Sequence, residues 1–74
     1  MQMIDDKKIA LGLRIKELRA EQNITQERFS LMTGVNRSYL ASIERGARNM
    51  SFATLVRIAE GFGMTLEEFF RGIE

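Results

Sequence analysis

The chain has no cysteine, no histidine, no proline and no tryptophan in its 74 residues, and each absence closes off a class of protein. Without cysteine there is no disulfide framework and no thiol chemistry. Without cysteine and histidine together, the common zinc constellations and the usual general base are gone. No cofactor or metal is expected, and an enzyme would have to work with carboxylates and hydroxyls alone. No apolar run is long enough to cross a bilayer, and the first residues carry no signal-peptide pattern, so a cytoplasmic location without a membrane partner is expected. What remains is 45% apolar and 28% charged residues, the balance of a soluble globular domain. A chain this short builds one small, marginal core, which points to a single domain over residues 1–74 supported by oligomerisation.

The formal net charge of +1 conceals an uneven distribution. Five Lys/Arg balance five Asp/Glu over residues 1–27. Residues 28–57 carry Arg28, Arg37, Arg45, Arg48 and Arg57 against Glu44 alone, a net +4, and residues 58–74 carry Arg71 against Glu60, Glu67, Glu68 and Glu74, a net −3. A basic middle beside an acidic end fits a domain that offers one face to a polyanion; the alternative is an ordinary solvated surface.

Helix formers dominate, and the breaks come from polar caps and glycines, so the fold class is all-α with five helices. The first helix should start near Asp5 or Asp6, run to about Gln22 with Leu11, Ile15 and Leu18 on one stripe, and end at Asn23. Thr25 caps the second, which stops at Gly34. Asn36 precedes the third, which continues to about Arg45 before Gly46. Ser51 caps the fourth, carrying Leu55, Ile58, Ala59 and Phe62, and a capping box from Thr65 to Glu68 opens the fifth, carrying Leu66, Phe69, Phe70 and Ile73.

On a helical wheel, residues 37–45 divide into a side with Leu40, Ile43 and Glu44 and a side with Ser38, Ala41, Ser42 and Arg45. Three of the latter four are small, which would let the helix backbone approach another surface closely, as in a DNA major groove. Arg37, in the first turn, reaches past this flat face, and its planar fork suits bidentate bonding to guanine O6 and N7. Arg37 is therefore the leading candidate for reading a base, with Ser38 and Ser42 offering weaker bonds to base edges and Ala41 a contact to a thymine methyl.

The words LGLRIKELRAEQNITQERFSLMTGVNRSYLASIERGARN and LVRIAEGFGMTLEEFF, over about residues 11–71, resemble the Cro/cI-type, XRE-like helix-turn-helix family. Their order is the specific part: a Thr-Gln helix start, a Gly-Val turn, an Ile-Glu-Arg-Gly helix end and a Leu-Glu-Glu-Phe-Phe helix. The resemblance implies a compact lambda-repressor-like domain with a helix-turn-helix at about 25–45, a positioning helix over 26–33 and a recognition helix over 37–45. By position it implies that Gln26 binds phosphate at a helix N-terminus, that Asn36 joins Arg37, Ser38 and Ser42 near the bases, and that Tyr39 meets the backbone. Arg45, Arg48 and Asn49 would meet flanking phosphates. Tyr39 also allows a plainer reading, a core-margin tyrosine with its hydroxyl in water.

Arg19 and Glu44 stand where the family often has an internal ion pair, and the wheel independently places Glu44 inward, so Arg19 is assigned to structure rather than to phosphate. Three residues depart from the family pattern: Ser30 where alanine is usual, Met50 where proline is common, and Leu13 where a charge is common. The first should be tolerated; the other two suggest an interface.

Helices four and five, about residues 51–72, hold more apolar residues than so small a core needs, which suggests a dimer surface including Met50, Phe52, Val56 and Phe69. Ile9 and Leu13 form a second apolar stripe that covers helix five, reaches a partner or packs within the monomer. Residues Met1 to Asp6 lack Arg and Lys and cannot form a basic minor-groove arm. The expected activity is transcription regulation: a homodimer on a palindromic or pseudo-palindromic double-stranded operator, its recognition helices in successive major grooves about 34 Å apart. Because the resemblance takes up nearly all of these 74 residues, no effector or catalytic domain is expected beside it. The segment NRSYLASIERGARNMS most resembles controller proteins of restriction-modification systems, while phage repressors and antitoxins share the framework. The rival readings are an antitoxin or protein-interaction module, and a domain of a larger enzyme, for which the chain has no nucleophile, metal or cofactor spacing.

Overall fold

The structure is a computed structural model that describes residues 2–73, with side chains from Asp5 onward; Met1 and Glu74, ends of the expected single domain, lie outside the described residues. Five helices follow in order: α1 (Gln2–Glu21), α2 (Gln26–Thr33), α3 (Arg37–Glu44), α4 (Phe52–Gly61) and α5 (Leu66–Phe70). No strand occurs among the described residues.

Polar caps account for the starts. Thr25 Oγ1 accepts from Arg28 N at 3.0 Å, Asn36 Oδ1 from Tyr39 N at 3.2 Å and Ser51 Oγ from Thr54 N at 3.1 Å. Thr65 and Glu68 close a reciprocal capping box. The ends use left-handed residues, Asn23 at φ 58° after α1 and Gly34 at φ 74° after α2. One boundary differs from expectation. α1 begins at Gln2, not at Asp5 or Asp6, so Asp5 lies in the first turn, where its charge meets the partial positive charge of the helix start.

One core joins all five elements: Ile15 and Leu18 from α1, Phe29 from α2, Leu40 and Ile43 from α3, Ile58 and Ala59 from α4, and Phe69 from α5, with Val35 and Phe62 from the turns. Phe62 links two aromatic neighbours, its ring centroid 4.3 Å from that of Phe29 and 6.5 Å from that of Phe69. α1 reaches α5 through Arg14, whose Nε donates to Phe69 O at 2.8 Å and Nη2 to Glu68 O at 2.9 Å. These are carbonyls of the last turn of α5; Glu68 O also accepts from Arg71 N at 3.2 Å.

α1 crosses the end of α3 at Gly12. A Cβ there would stand 2.5 Å from Ile43 O and 2.6 Å from Glu44 O, so only glycine permits the crossing. That backbone contact holds α3 from behind and presents its opposite side outward.

The expected dimer surface needs one correction. Phe69 is fully buried, packed edge-on against Phe70 and across from Phe62, so it belongs to the monomer core. The capping box sets the phase of α5, and that phase turns Phe69 inward and leaves Phe70 at the surface. Met50 and Val56 are half-buried, and Phe52 is 71% exposed. Ile9 and Leu13 are both exposed.

Candidate nucleic-acid interface

α2 and α3 are joined by Gly34, Val35 and Asn36, a turn with one left-handed glycine and one buried valine. Its packing explains the serine at position 30. Ser30 Oγ donates to Val35 O at 2.5 Å and Thr33 Oγ1 accepts from Val35 N at 3.2 Å, so both polar groups of the buried valine are bonded.

The inner side of α3 is held by apolar contacts and by one polar network. Leu40 and Ile43 are buried, and Glu44, only 5% exposed, receives Arg19 in a two-pronged bond, Nε to Oε2 at 2.7 Å and Nη2 to Oε1 at 2.8 Å. Arg19 Nη1 donates to Ile24 O at 2.8 Å. Every nitrogen of the guanidinium is thus used inside the protein, joining α1, the turn after it and the end of α3. Gln26 Nε2 adds a third bond to Glu44, at 3.0 Å from Oε1. A buried carboxylate is tolerable only when so completely paired, and among the described residues no buried side-chain nitrogen or oxygen lacks a partner. Gln26, expected at a phosphate, turns its amide inward; the bond uses one of its two N–H groups.

The outer side of α3 starts with three exposed residues, Asn36, Arg37 and Ser38, followed by half-buried Ala41 and exposed Arg45. Asn36 Oδ1 is committed to capping. Ser42 is not part of this surface. It is 7% exposed and its hydroxyl donates to Tyr39 O at 2.8 Å, which corrects its expected place among the base readers. The wheel does not foresee this burial; after α3 the chain turns back, and Ala47 N donates to Ser42 O at 2.9 Å.

Tyr39 also differs from expectation. Its hydroxyl donates to Asn49 O at 2.9 Å and accepts from Ser51 N at 3.3 Å, and the Arg48 guanidinium lies 5.1 Å from its ring centroid. A phenol has one proton to give, and Asn49 takes it, so the expected phosphate contact is replaced by a clasp on the loop that follows α3. That loop carries Arg48 and Asn49, both exposed.

A helix-turn-helix family model matches residues 15–69, from the middle of α1 to Phe69 of α5. The chain belongs to the XRE-like helix-turn-helix family of DNA-binding transcription regulators. It is 42% identical over 72 residues to control protein C.MunI of Mycoplasma sp, covering 96% of this chain and 97% of that protein. It is 30% identical over 67 residues to the HTH-type transcriptional regulator PuuR of Escherichia coli (strain K12), covering 90% of this chain but 36% of PuuR. The crystal structure of the restriction-modification controller protein C.AhdI from Aeromonas hydrophila superposes with a TM-score of 0.81 at 32% identity, over 85% of this chain and 96% of that one.

In this helix-turn-helix regulator, α2 and α3 are the two helices expected as the positioning and recognition pair. Two supports of the fold, one under α3 and one under α5, left unequal signals in the sequence. Gly12 left a signal: a glycine inside a helix costs about 1 kcal/mol against alanine, so its presence mid-helix points to a close crossing. Arg14 left none, since its partners are backbone carbonyls more than fifty positions away.

Proposed function

We propose that this regulator is a controller of restriction-modification genes, binding a two-fold-related operator as a homodimer. The observation that carries the reading is the division of α3: Arg37 and Ser38 are exposed at its start while Glu44 at its end is locked to Arg19 and Gln26. A short helix fixed behind and open in front is what major-groove reading requires. The controller part is supported by the correspondence with C.MunI and C.AhdI over nearly the whole of each.

In this reading Arg37 reads a base with Ser38 beside it, Ala41 lies against the groove and Asn36 at its edge. Gln26, Arg45, Arg48 and Asn49 hold phosphates. The second copy docks on the face of Phe52, with Met50 and Val56, and Phe70 in the place first given to Phe69. The whole of residues 1–74 acts as one domain in the cytoplasm, without cofactor and without catalysis.

Selection of bound sequences from a random duplex library tests the reading, since it returns site, symmetry and half-site spacing together. An enriched inverted repeat is expected; enrichment of nothing would overturn the operator reading. Arg37→Ala should then cost about 1–3 kcal/mol on the selected site and relax preference at one base pair. Equal weakening on all sequences would make Arg37 a phosphate contact.

A further inference from the structure

A cleft of about 440 Å³ between α1 and the loop after α3 takes in Arg48, Asn49 and Met50, whose proposed roles are given above, and adds two lysines of α1 that have none. Lys7 and Lys8 line it from α1, Arg48 and Asn49 from the loop, over an apolar floor that includes Leu11 and Ile43. Three cations thus border one concavity from two elements. An apolar floor suits the aliphatic stems of lysine while the ammonium groups stay at the rim. The carboxylates close by in sequence are Asp5 and Asp6. Lys8 Nζ lies 3.8 Å from Asp5 Oδ1, a long i,i+3 contact to an exposed carboxylate that is weak, so a stronger anion can recruit the half-buried lysine.

Position decides which anion. Arg48 and Asn49 belong to the loop assigned to flanking phosphates, so the cleft adjoins that surface. Lys7 and Lys8 lie before the 15–69 span of the family match.

We propose that Lys7 and Lys8 of α1, with Arg48 opposite, form a second phosphate-binding site that takes the DNA backbone just outside the half-site read by α3. The site rests on the operator reading, and its test is separable from it. Each phosphate contact contributes about 0.9 to the slope of log K against log salt. Lys7→Gln with Lys8→Gln should therefore lower that slope by about one to two on a long duplex, and Lys7→Arg with Lys8→Arg should restore it. On a duplex trimmed to the half-sites, wild type and the glutamine variant should bind alike.

Unchanged slope and unchanged length dependence would overturn the site. A lowered slope that persists on the trimmed duplex would overturn its placement outside the half-site. Thermal melting of the glutamine variant at the wild-type temperature is expected, since both substitutions are at the rim; a melted variant would mark the lysines as structural, against the proposal. If library selection enriches nothing, the operator reading falls, while the slope comparison on a long random duplex still decides whether the two lysines meet phosphate.

Discussion

The two ends of α3 lie two helical turns apart in different surroundings. At the start, Arg37 and Ser38 stand in water with little around them but the Asn36 cap; at the finish, Ile43 and Glu44 are buried under α1. An eight-residue helix has too few internal bonds to persist alone, so something else must hold it. Here the holding is concentrated at the far end, in the Gly12 crossing and the Arg19–Glu44–Gln26 network. Reading and anchoring are therefore separated along one short axis. A regulator built this way can vary its reading residues without disturbing its core.

Glu44→Ala should break this comparison most severely. It leaves Arg19 half-buried without its carboxylate, a loss of about 3–5 kcal/mol of stability by chemical denaturation. A loss below about 1 kcal/mol would mean the pair behaves like a surface one and does not anchor α3. Gly12→Ala comes next, at about 1–3 kcal/mol, because its Cβ meets backbone that cannot rotate away. Its mark would be lowered stability together with weakened binding to every duplex, since the whole of α3 shifts; undiminished stability would show that the crossing has slack.

Tyr39→Phe sharpens the comparison at smaller cost. It removes the clasp on the loop and should lower stability by about 1 kcal/mol. If the clasp holds Arg48 in place, the penalties of Tyr39→Phe and Arg48→Ala on DNA binding should not add in a double-mutant cycle; strict additivity would separate them. Ser42→Ala should do least, within about 0.5 kcal/mol on DNA affinity. A loss comparable to that of Arg37→Ala would show that α3 rotates on binding and brings Ser42 out.

The helices, their caps and the order of the turns were legible in the residues, and so was the inward phase of Glu44. The legible part shares a feature: each signal acts between residues a few positions apart. Thr25, Asn36, Ser51 and Thr65 cap the helices they precede, and Asn23 and Gly34 end the ones they follow. Ser42, Tyr39 and Phe69 were misread for the opposite reason. A wheel assigns a side chain to a face but not to a neighbour, and these three have neighbours brought by a loop or a second helix. Ala47 N bonds Ser42 O, Asn49 and Ser51 take the hydroxyl of Tyr39, and Phe62 packs against Phe69.

By itself, then, the sequence determined that this is a five-helix protein with a cap at each helix from α2 onward, an Arg-rich middle and an exposed arginine opening its third helix. Only the tertiary structure decided which small residue faces out, which aromatic ring is core, and that Lys7 and Lys8 share a cleft with Arg48. Caps and periodicity are settled by bonds within a turn or two. Burial and partnership depend on where separate helices cross, and here that depends on how closely α1 approaches α3 at Gly12.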